Sequence, residues 1–130
     1  MKYLGIDHGT TTCGLSIGVG GVALPLCSVS TTDIWEILTE MILREKIGYI
    51  IVGVATLLDG TRTRQTRIQE AFVREGQKKF PEIEWILSDE NLTSLEAEET
   101  KLQGAEHTKD AIAASLILQS YFDSYLGKCI

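Results

Sequence analysis

The sequence predicts an α/β fold, built on a mixed β-sheet within a single domain that spans residues 1–130. Three strand-like runs come first, and helical and strand-like patterns then alternate to the end of the chain. A chain of 130 residues suits one compact domain with a sizeable core. No linker, internal repeat or low-complexity segment divides it.

The first three elements are predicted to be strands. The runs Lys2–Asp7, Cys13–Gly18 and Val22–Val29 have strand character, and the glycine-rich segment Gly18–Gly21 predicts a turn between the second and third. Because short connections join antiparallel neighbours, these three strands are expected to be antiparallel.

Helices and strands are predicted to alternate after these strands. Asp33 is placed to cap a helix with apolar residues at helical spacing. Those apolar residues are Ile34, Ile37, Leu38, Met41 and Ile42. The apolar run Tyr49–Val54 predicts a strand buried on both faces, and Glu84–Leu87 predicts a further short strand.

Three further helices are predicted. The first covers Arg62–Lys79, is closed by Pro81, and is expected to have Ile68, Ala71, Phe72 and Phe80 on its inner side. A capping box at Thr93–Glu96 predicts a second, to about Gln103. The last begins near Thr108 and runs to Leu126, with an apolar surface typical of a buried helix.

Positive charge is concentrated in one segment of an acidic chain. The net charge of −6 argues, taken globally, against a nucleic-acid partner. Residues 62–79, however, carry six bases against two acids, a net charge of +4. A solvated face is the usual explanation of a charged helix, but Arg62, Arg64 and Arg67 lie within six residues, which favours contact with phosphate more than an ordinary charged helix does.

Composition indicates a cytoplasmic protein without a membrane partner. No apolar run approaches the roughly 20 residues of a membrane span, and the N-terminus has no signal-peptide pattern. Cys13, Cys27 and Cys129 are odd in number and widely spaced, which fits neither a disulfide framework nor a CxxC metal site.

Asp7 is the first candidate functional residue. It ends a short apolar run and precedes Gly9 and the hydroxyl residues Thr10–Thr12. An acid in this position suits a metal ion or a phosphate site, and equally a turn in which Asp7 accepts bonds from backbone amides. His8 is expected to point to the other face of the strand.

Glu90 and Asp110 are the other two candidate acids. Glu90 follows the last predicted strand and Asp110 lies in the first turn of the last helix, so both can approach Asp7 beyond the strand ends. Three converging carboxylates repel one another unless a hard cation such as Mg²⁺ or Mn²⁺ neutralises them. Each of these acids, taken alone, has another explanation. Glu90 beside Asp89 is typical of a solvated pair in a loop, and Asp110 is typical of an acid that the helix dipole favours near a helix N-terminus.

Four motifs occur in order along the chain. They are Gly5–Thr10, then Ile51–Gly53 with Asp59-Gly60, then Asp89–Glu98, then Asp110–Gln119. This series resembles that of the YqgF (RuvX-like) family of RNase H-fold proteins, often called Holliday junction resolvases or pre-16S rRNA nucleases. The resemblance covers essentially the full length. It implies an RNase H-like, five-stranded mixed sheet with helices on both faces.

The resemblance also implies a metal-dependent nuclease acting on structured RNA or branched DNA. Asp7, Glu90 and Asp110 would be the catalytic acids and the ligands of Mg²⁺ or Mn²⁺, which would activate a water for in-line attack on the phosphate. The threonine hydroxyls would steady a phosphate oxygen and the arginines would hold the flanking backbone. The expected nucleic-acid-binding residues are Thr10, Thr11, Thr12, Arg62, Arg64 and Arg67.

The sequence departs from the family pattern where basic residues are usual. Thr11 and Thr12 replace a basic pair, and Asn91 replaces an arginine. Fewer phosphate contacts weaken affinity and flatten its salt dependence. An alternative is therefore a catalytically weak or inactive binding module on the same fold. A sugar-kinase-like ATPase is disfavoured, because such enzymes bind ATP between two domains. A monomer or a homodimer is expected.

Overall fold

The computed structural model describes residues 2–56, 61–91 and 109–125, with backbone alone at 55, 56, 89–91 and 125. Within these ranges five strands form one mixed sheet in the order β3-β2-β1-β4-β5. The strands are β1 (Lys2–His8), β2 (Thr12–Val19), β3 (Val22–Ser30), β4 (Ile47–Thr56) and β5 (Glu84–Asn91). The helices are α1 (Ile34–Glu45), α2 (Arg64–Lys79) and α3 (Lys109–Tyr125). The predicted mixed α/β sheet is confirmed.

The sheet combines an antiparallel half with a parallel half. Strands β1, β2 and β3 are antiparallel neighbours, as predicted. Gly20 and Gly21 form the tight β2–β3 turn with φ values of +63° and +83°, a conformation that favours glycine. Strands β1, β4 and β5 run parallel, so their C-terminal ends lie at one edge of the sheet, hereafter the active edge.

Helices cover both faces of the sheet, as the family resemblance implies. Leu4 and Ile6 of β1 join the core beneath α1 and α2, whereas Tyr3 joins the smaller core beneath α3. Because side chains alternate along a strand, Gly5 and Asp7 share the α3 face with Tyr3. The alternation of side chains along β1 therefore places Asp7 on the α3 face of the sheet.

The ends of two helices differ in detail from the prediction. Helix α2 begins at Arg64 rather than Arg62, because Thr63 is its N-cap: Thr63 Oγ1 accepts from the Thr66 amide, and Thr66 Oγ1 accepts from the Thr63 amide. Asp33 does lie at the N-cap position of α1, but its side chain makes no capping bond there.

The inner side of α2 differs from the prediction at Ala71. Phe72 is buried as predicted, but Ala71 is exposed and the polar Gln69 is buried beside Val73. Gln69 is tolerated inside because its amide has a backbone acceptor on β1, described below.

Strand β5 is longer than predicted. It pairs with β4 as far as Asn91, so Asp89 and Glu90 lie within the strand rather than after it. The length of β4, which continues to Thr56, provides the pairing partners for these residues.

Some predicted features lie outside the described residues. They are the Asp59-Gly60 motif, the helix from Thr93 to about Gln103, Thr108, Leu126 and Cys129. Among the helices of the described residues, none has the length and apolar character needed to cross a bilayer.

Candidate active site

Asp7 lies near the C-terminal end of the central strand β1. It is half-buried on the α3 face and pairs across the ladder with Gly14 of β2. Gly5, two residues earlier, lies so close to α3 that an added Cβ would meet the Leu118 Cβ at 2.8 Å and the Ala114 carbonyl at 2.9 Å. Helix α3 therefore packs directly on the stretch of β1 that leads to Asp7.

Asp110 is brought to Asp7 by the absence of a side chain at Gly14. A Cβ on Gly14 would overlap the Asp110 carbonyl oxygen, so the first turn of α3 lies on the backbone of β2 at this residue. Since Gly14 is the ladder partner of Asp7, the two aspartates occupy adjacent positions on one face.

The Cys13 thiol provides a second sign that both aspartates are close together. Burial raises the pKa of Cys13, and the negative charges of Asp7 and Asp110 raise it further. Hydrogen bonds that Cys13 makes with the Thr31 side chain and with the Gly9 backbone act in the opposite direction and lower the pKa. Both carboxylates are therefore within electrostatic range of the Cys13 thiol.

Thr12 has a role at this site that sequence reasoning missed. Its Oγ1 donates a 2.6 Å hydrogen bond to Oδ2 of Asp110, whereas the prediction assigned it to a phosphate. The bond engages one of the two carboxylate oxygens and fixes the orientation of the side chain. The hydroxyl-rich sequence indicated a donor but not its acceptor, which is 98 residues away.

The turn between β1 and β2 is held in place by backbone and threonine bonds. The Gly9 amide donates to the Thr12 carbonyl at 3.0 Å, and the Thr31 amide donates to the Thr11 carbonyl at 2.9 Å. Thr31 Oγ1 also donates to the Gly9 carbonyl at 2.9 Å. Thr10 and Thr11 are exposed at this turn, at the active edge.

Glu90 lies on β5, which is separated from β1 by the single strand β4. Its backbone pairs with Ala55, at the active edge. Ile86 belongs to the core beneath α3, and Glu90 is four residues further on, at a register position of the same face. Among the side chains that the structure describes, which do not include that of Glu90, no three His, Cys, Asp or Glu groups form a metal cluster.

The donor set at the active edge nevertheless fits a hard divalent cation. Asp7 and Asp110 occupy adjacent positions on one face beside Gly14, and a third acid, Glu90, lies on β5 at the same edge of the sheet. Oxygen ligands of this kind are those that Mg²⁺ and Mn²⁺ prefer.

His8 points to the face opposite Asp7, as predicted. Its ring is 6% exposed and lies 4.3 Å from the ring of Phe72, between their centroids. Burial lowers the pKa of His8, so the neutral form is favoured. Within the part of the chain that is described, Nδ1 has no hydrogen-bond partner.

Two glutamines that the prediction did not single out connect α2 to the end of β1. The Nε2 atoms of Gln65 and Gln69 donate to the carbonyl oxygen of His8 at 2.8 Å and 3.3 Å. These amides tie the N-terminal half of α2 to the residue that follows Asp7. Their only signal in the sequence is polar residues four apart on an amphipathic helix.

The three predicted arginines differ in their surroundings. Arg62 precedes α2 and forms an ion pair with Glu70, so its charge is offset. Arg64 and Arg67 lie on α2 itself and are exposed. All three remain predicted contacts to nucleic acid.

This architecture is that of RNase H-like nucleases. A solved structure of Thermus thermophilus RuvC in complex with a Holliday junction substrate matches with a TM-score of 0.60. The match covers 98% of this chain and 97% of that chain at 17% identity, which establishes the fold.

The chain belongs to the RuvX family, described as Holliday junction resolvase, which matches residues 1–124. A protein of Shewanella oneidensis is 30% identical over 95% of both chains. Another, of Thermoanaerobacter pseudethanolicus, is 32% identical over 98% of this chain and 100% of its own length. Both are named "Putative pre-16S rRNA nuclease". The enzyme class is therefore that of hydrolases acting on ester bonds of nucleic acids.

Proposed function

We propose that this protein is a metal-dependent nuclease that hydrolyses phosphodiester bonds in structured nucleic acid at the active edge. The observation that supports it most is the approach of Asp110 to Asp7 over Gly14. Acids at adjacent positions on one face form a donor set that a divalent cation can share. A purely structural role would favour a neutral residue at one of the two positions.

In the proposed mechanism, Asp7, Asp110 and Glu90 would hold Mg²⁺ or Mn²⁺, and the ion would supply an activated water and offset charge on the scissile phosphate. Asp7 lies on the central strand β1, with Glu90 two strands away on β5 and Asp110 on α3. Thr12 keeps one oxygen of Asp110 engaged and so limits the rotation of that ligand. Thr10 and Thr11, exposed at the same edge, are proposed to contact a phosphate oxygen.

The proposed substrate is an rRNA precursor or a four-way DNA junction. The first is supported by the names of relatives that this chain matches over 95–98% of its length. The second is supported by the family description and by the complex solved for RuvC. Both are structured, phosphate-rich molecules, and both would be met in the cytoplasm, the proposed site of action. A monomer or homodimer is compatible with either.

The test is a cleavage assay with Mg²⁺ or Mn²⁺ on a structured pre-rRNA fragment and on a four-way junction. We expect metal-dependent cleavage of at least one substrate, and a loss of about 100-fold or more in Asp7→Asn and Asp110→Asn. Asp123→Asn is the matched control, because Asp123 is exposed on α3 and bonded to Gln119, away from Asp7.

Two outcomes would contradict the proposal. Cleavage that persists in Asp7→Asn and Asp110→Asn would remove these residues from the mechanism. Nucleic-acid binding by the wild type without cleavage under any of the metal conditions would favour the alternative, a binding module on the same fold.

A further inference from the structure

Four basic side chains form a stripe along the exposed side of α2. They are Arg64, Arg67, Arg74 and Lys78, hereafter the basic stripe. Their offsets of three, seven and four residues bring them to one side of the helix. All four are exposed, and the exposed Ala71 lies between them with a side chain too short to interrupt the row.

The charge of the basic stripe is not offset by ion pairs. Across residues 2–56, 61–91 and 109–125 the ion pairs join Lys2 to Glu45, Arg44 to Glu40 and Glu45, and Arg62 to Glu70. None of them involves the stripe. Helix α2 has two acids: Glu70 pairs with Arg62, and Glu75 is exposed at the margin of the stripe. An uncompensated basic row is unusual on a protein with a net charge of −6.

The N-terminal end of the basic stripe lies at the active edge, but on the outer side of α2, which covers the face of the sheet opposite to α3 and Asp7. Gln65 and Gln69 bond the N-terminal half of α2 to the His8 carbonyl, next to Asp7. At the other end of α2, Gly76 packs on the ring of Trp85, near the start of β5. Arg64 and Lys78 are fourteen residues apart, which corresponds to about 21 Å along the helix axis.

We propose that the basic stripe is the binding track for one phosphate backbone of a duplex arm that extends from the active edge over the α2 face of the protein. This inference rests on the proposed nuclease function and specifies how the substrate is held. The stripe presents four cations over about 21 Å to a phosphate backbone that crosses it. A straight row on a rigid helix matches the regular backbone of a duplex better than a flexible single strand.

The track explains how the chain can bind nucleic acid without the basic pair that Thr11 and Thr12 replace. Lysine and arginine contacts to phosphate position the duplex without reading its sequence. Two members, Arg74 and Lys78, lie beyond the cluster of arginines that the sequence singled out. They extend the contact from the active edge along the length of α2.

The experiment measures binding in EDTA of a 20-base-pair RNA duplex and of a four-way DNA junction at several salt concentrations. Each lost phosphate contact lowers the slope of log K against log salt by about 0.9. We therefore expect Arg74→Gln and Lys78→Gln each to reduce the slope by about 0.9, and the double variant by about twice that.

Lys79→Gln is the matched control for Lys78→Gln. The charge change is the same and the residues are consecutive, but Lys79 Nζ lies 5.4 Å from the centroid of the Trp35 ring, off the stripe. We expect Lys79→Gln to retain the wild-type slope. Equal losses in the two variants would show that net charge, rather than the stripe, determines binding, and would overturn the proposal.

Binding and cleavage by these variants distinguish a failure of this inference from a failure of the proposed function. If Arg74→Gln and Lys78→Gln bind the duplex as the wild type does while Asp7→Asn abolishes cleavage, the track is wrong and the nuclease function stands. If the slopes fall as expected but the wild type never cleaves, the track stands and the nuclease function is wrong. An equal effect on a single strand of the same length would overturn the assignment to a duplex.

Discussion

Asp110 depends on Thr12 for its orientation at the active edge. The 2.6 Å bond from Thr12 Oγ1 restrains one carboxylate oxygen, and such outer contacts commonly affect metal affinity by 10–100-fold. We expect Thr12→Val to weaken Mn²⁺ binding by roughly 10-fold, as measured by isothermal titration calorimetry. Valine preserves the branched shape on β2, so the strand itself should persist.

Thr10→Val is the control for this substitution. Thr10 is exposed at the turn and is proposed to contact phosphate rather than Asp110. Its variant should bind Mn²⁺ as the wild type does. If Thr12→Val binds the ion with unchanged affinity, the Thr12 bond is irrelevant to the site.

His8 gives a pH dependence of stability whose sign is fixed by its burial. Burial lowers the pKa of His8, so below pH about 6.5 the unfolded chain binds a proton that the folded chain resists. The stabilisation is therefore complete above that pH and is lost as the pH falls towards the pKa of the folded state. In urea unfolding, the free energy of unfolding should fall less between pH 7.5 and pH 5.5 in His8→Phe than in the wild type.

Phenylalanine suits this comparison because the His8 ring already packs on Phe72. The substitution also removes the Nδ1 atom, for which the described residues offer no hydrogen-bond partner. The other histidine of the chain, His107, is present in both proteins, so its contribution to the loss of stability in acid is the same in both. An identical acid loss in the two proteins would contradict the assignment to His8.

At the scale of elements, the contact of α3 with β2 determines the site. A Cβ on Gly14 would overlap the backbone carbonyl of Asp110, and a backbone atom cannot move aside as a flexible side chain can. We expect Gly14→Ala to lower the free energy of unfolding by about 1–3 kcal/mol and to abolish Mn²⁺ binding. Chemical denaturation and calorimetry on the same samples measure both effects.

Gly18→Ala provides the comparison for Gly14→Ala. A Cβ there would meet the ring of Phe122, which also belongs to α3 but lies far along the helix from Asp110. We expect this variant to lose stability and to keep Mn²⁺ binding. Loss of binding in both variants would show that any disturbance of α3, rather than the position of Asp110, controls the site.

The elements could be predicted from the sequence because their periodicity is local. The five strands and the helices α1, α2 and α3 follow from apolar spacing, and the face of His8 follows from alternation. Element ends could not be predicted as well, since they depend on partners: β5 reaches Asn91 only because β4 continues beside it. The buried Gln69 was missed because its acceptor, the His8 carbonyl, is 61 residues away.

In the candidate site, too, some features could be predicted from the sequence and others depend on tertiary packing. Asp7 and Asp110 were identified by residue type and motif, but their proximity depends on the antiparallel pairing of β1 with β2 and on the packing of α3 over Gly14. These are tertiary facts that no local pattern contains. Thr12 illustrates the consequence: the sequence predicts that its hydroxyl contacts a phosphate, and it could not predict the bond to Asp110, which is 98 residues away.

At the scale of the whole molecule, charge is divided between two regions. The net charge of −6 repels a polyanion at long range, while residues 62–79, at +4, attract it locally. If the proposed track holds the substrate, attraction at residues 62–79 and repulsion elsewhere would orient it. The acids of the active edge add to the repulsion until a cation neutralises them, so metal binding and substrate binding are expected to favour each other.

Metal binding should raise the thermal stability of the whole fold. A ligand that binds only the folded chain stabilises it by RT ln(1 + [L]/Kd), about 2.7 kcal/mol at 100 times Kd, which raises Tm by on the order of 10 °C for a domain of this size. We expect Mn²⁺ to produce such a shift in the wild type, as measured by differential scanning calorimetry against NaCl of equal ionic strength.

The Asp110→Asn variant makes this measurement specific. Without metal its Tm should equal or exceed that of the wild type, because one of two neighbouring negative charges is removed while an acceptor for Thr12 remains. With Mn²⁺ its Tm should rise much less, because a ligand is missing. The two effects have opposite signs, which a general loss of folding cannot produce. A full Mn²⁺ shift in Asp110→Asn would show that the cation binds elsewhere.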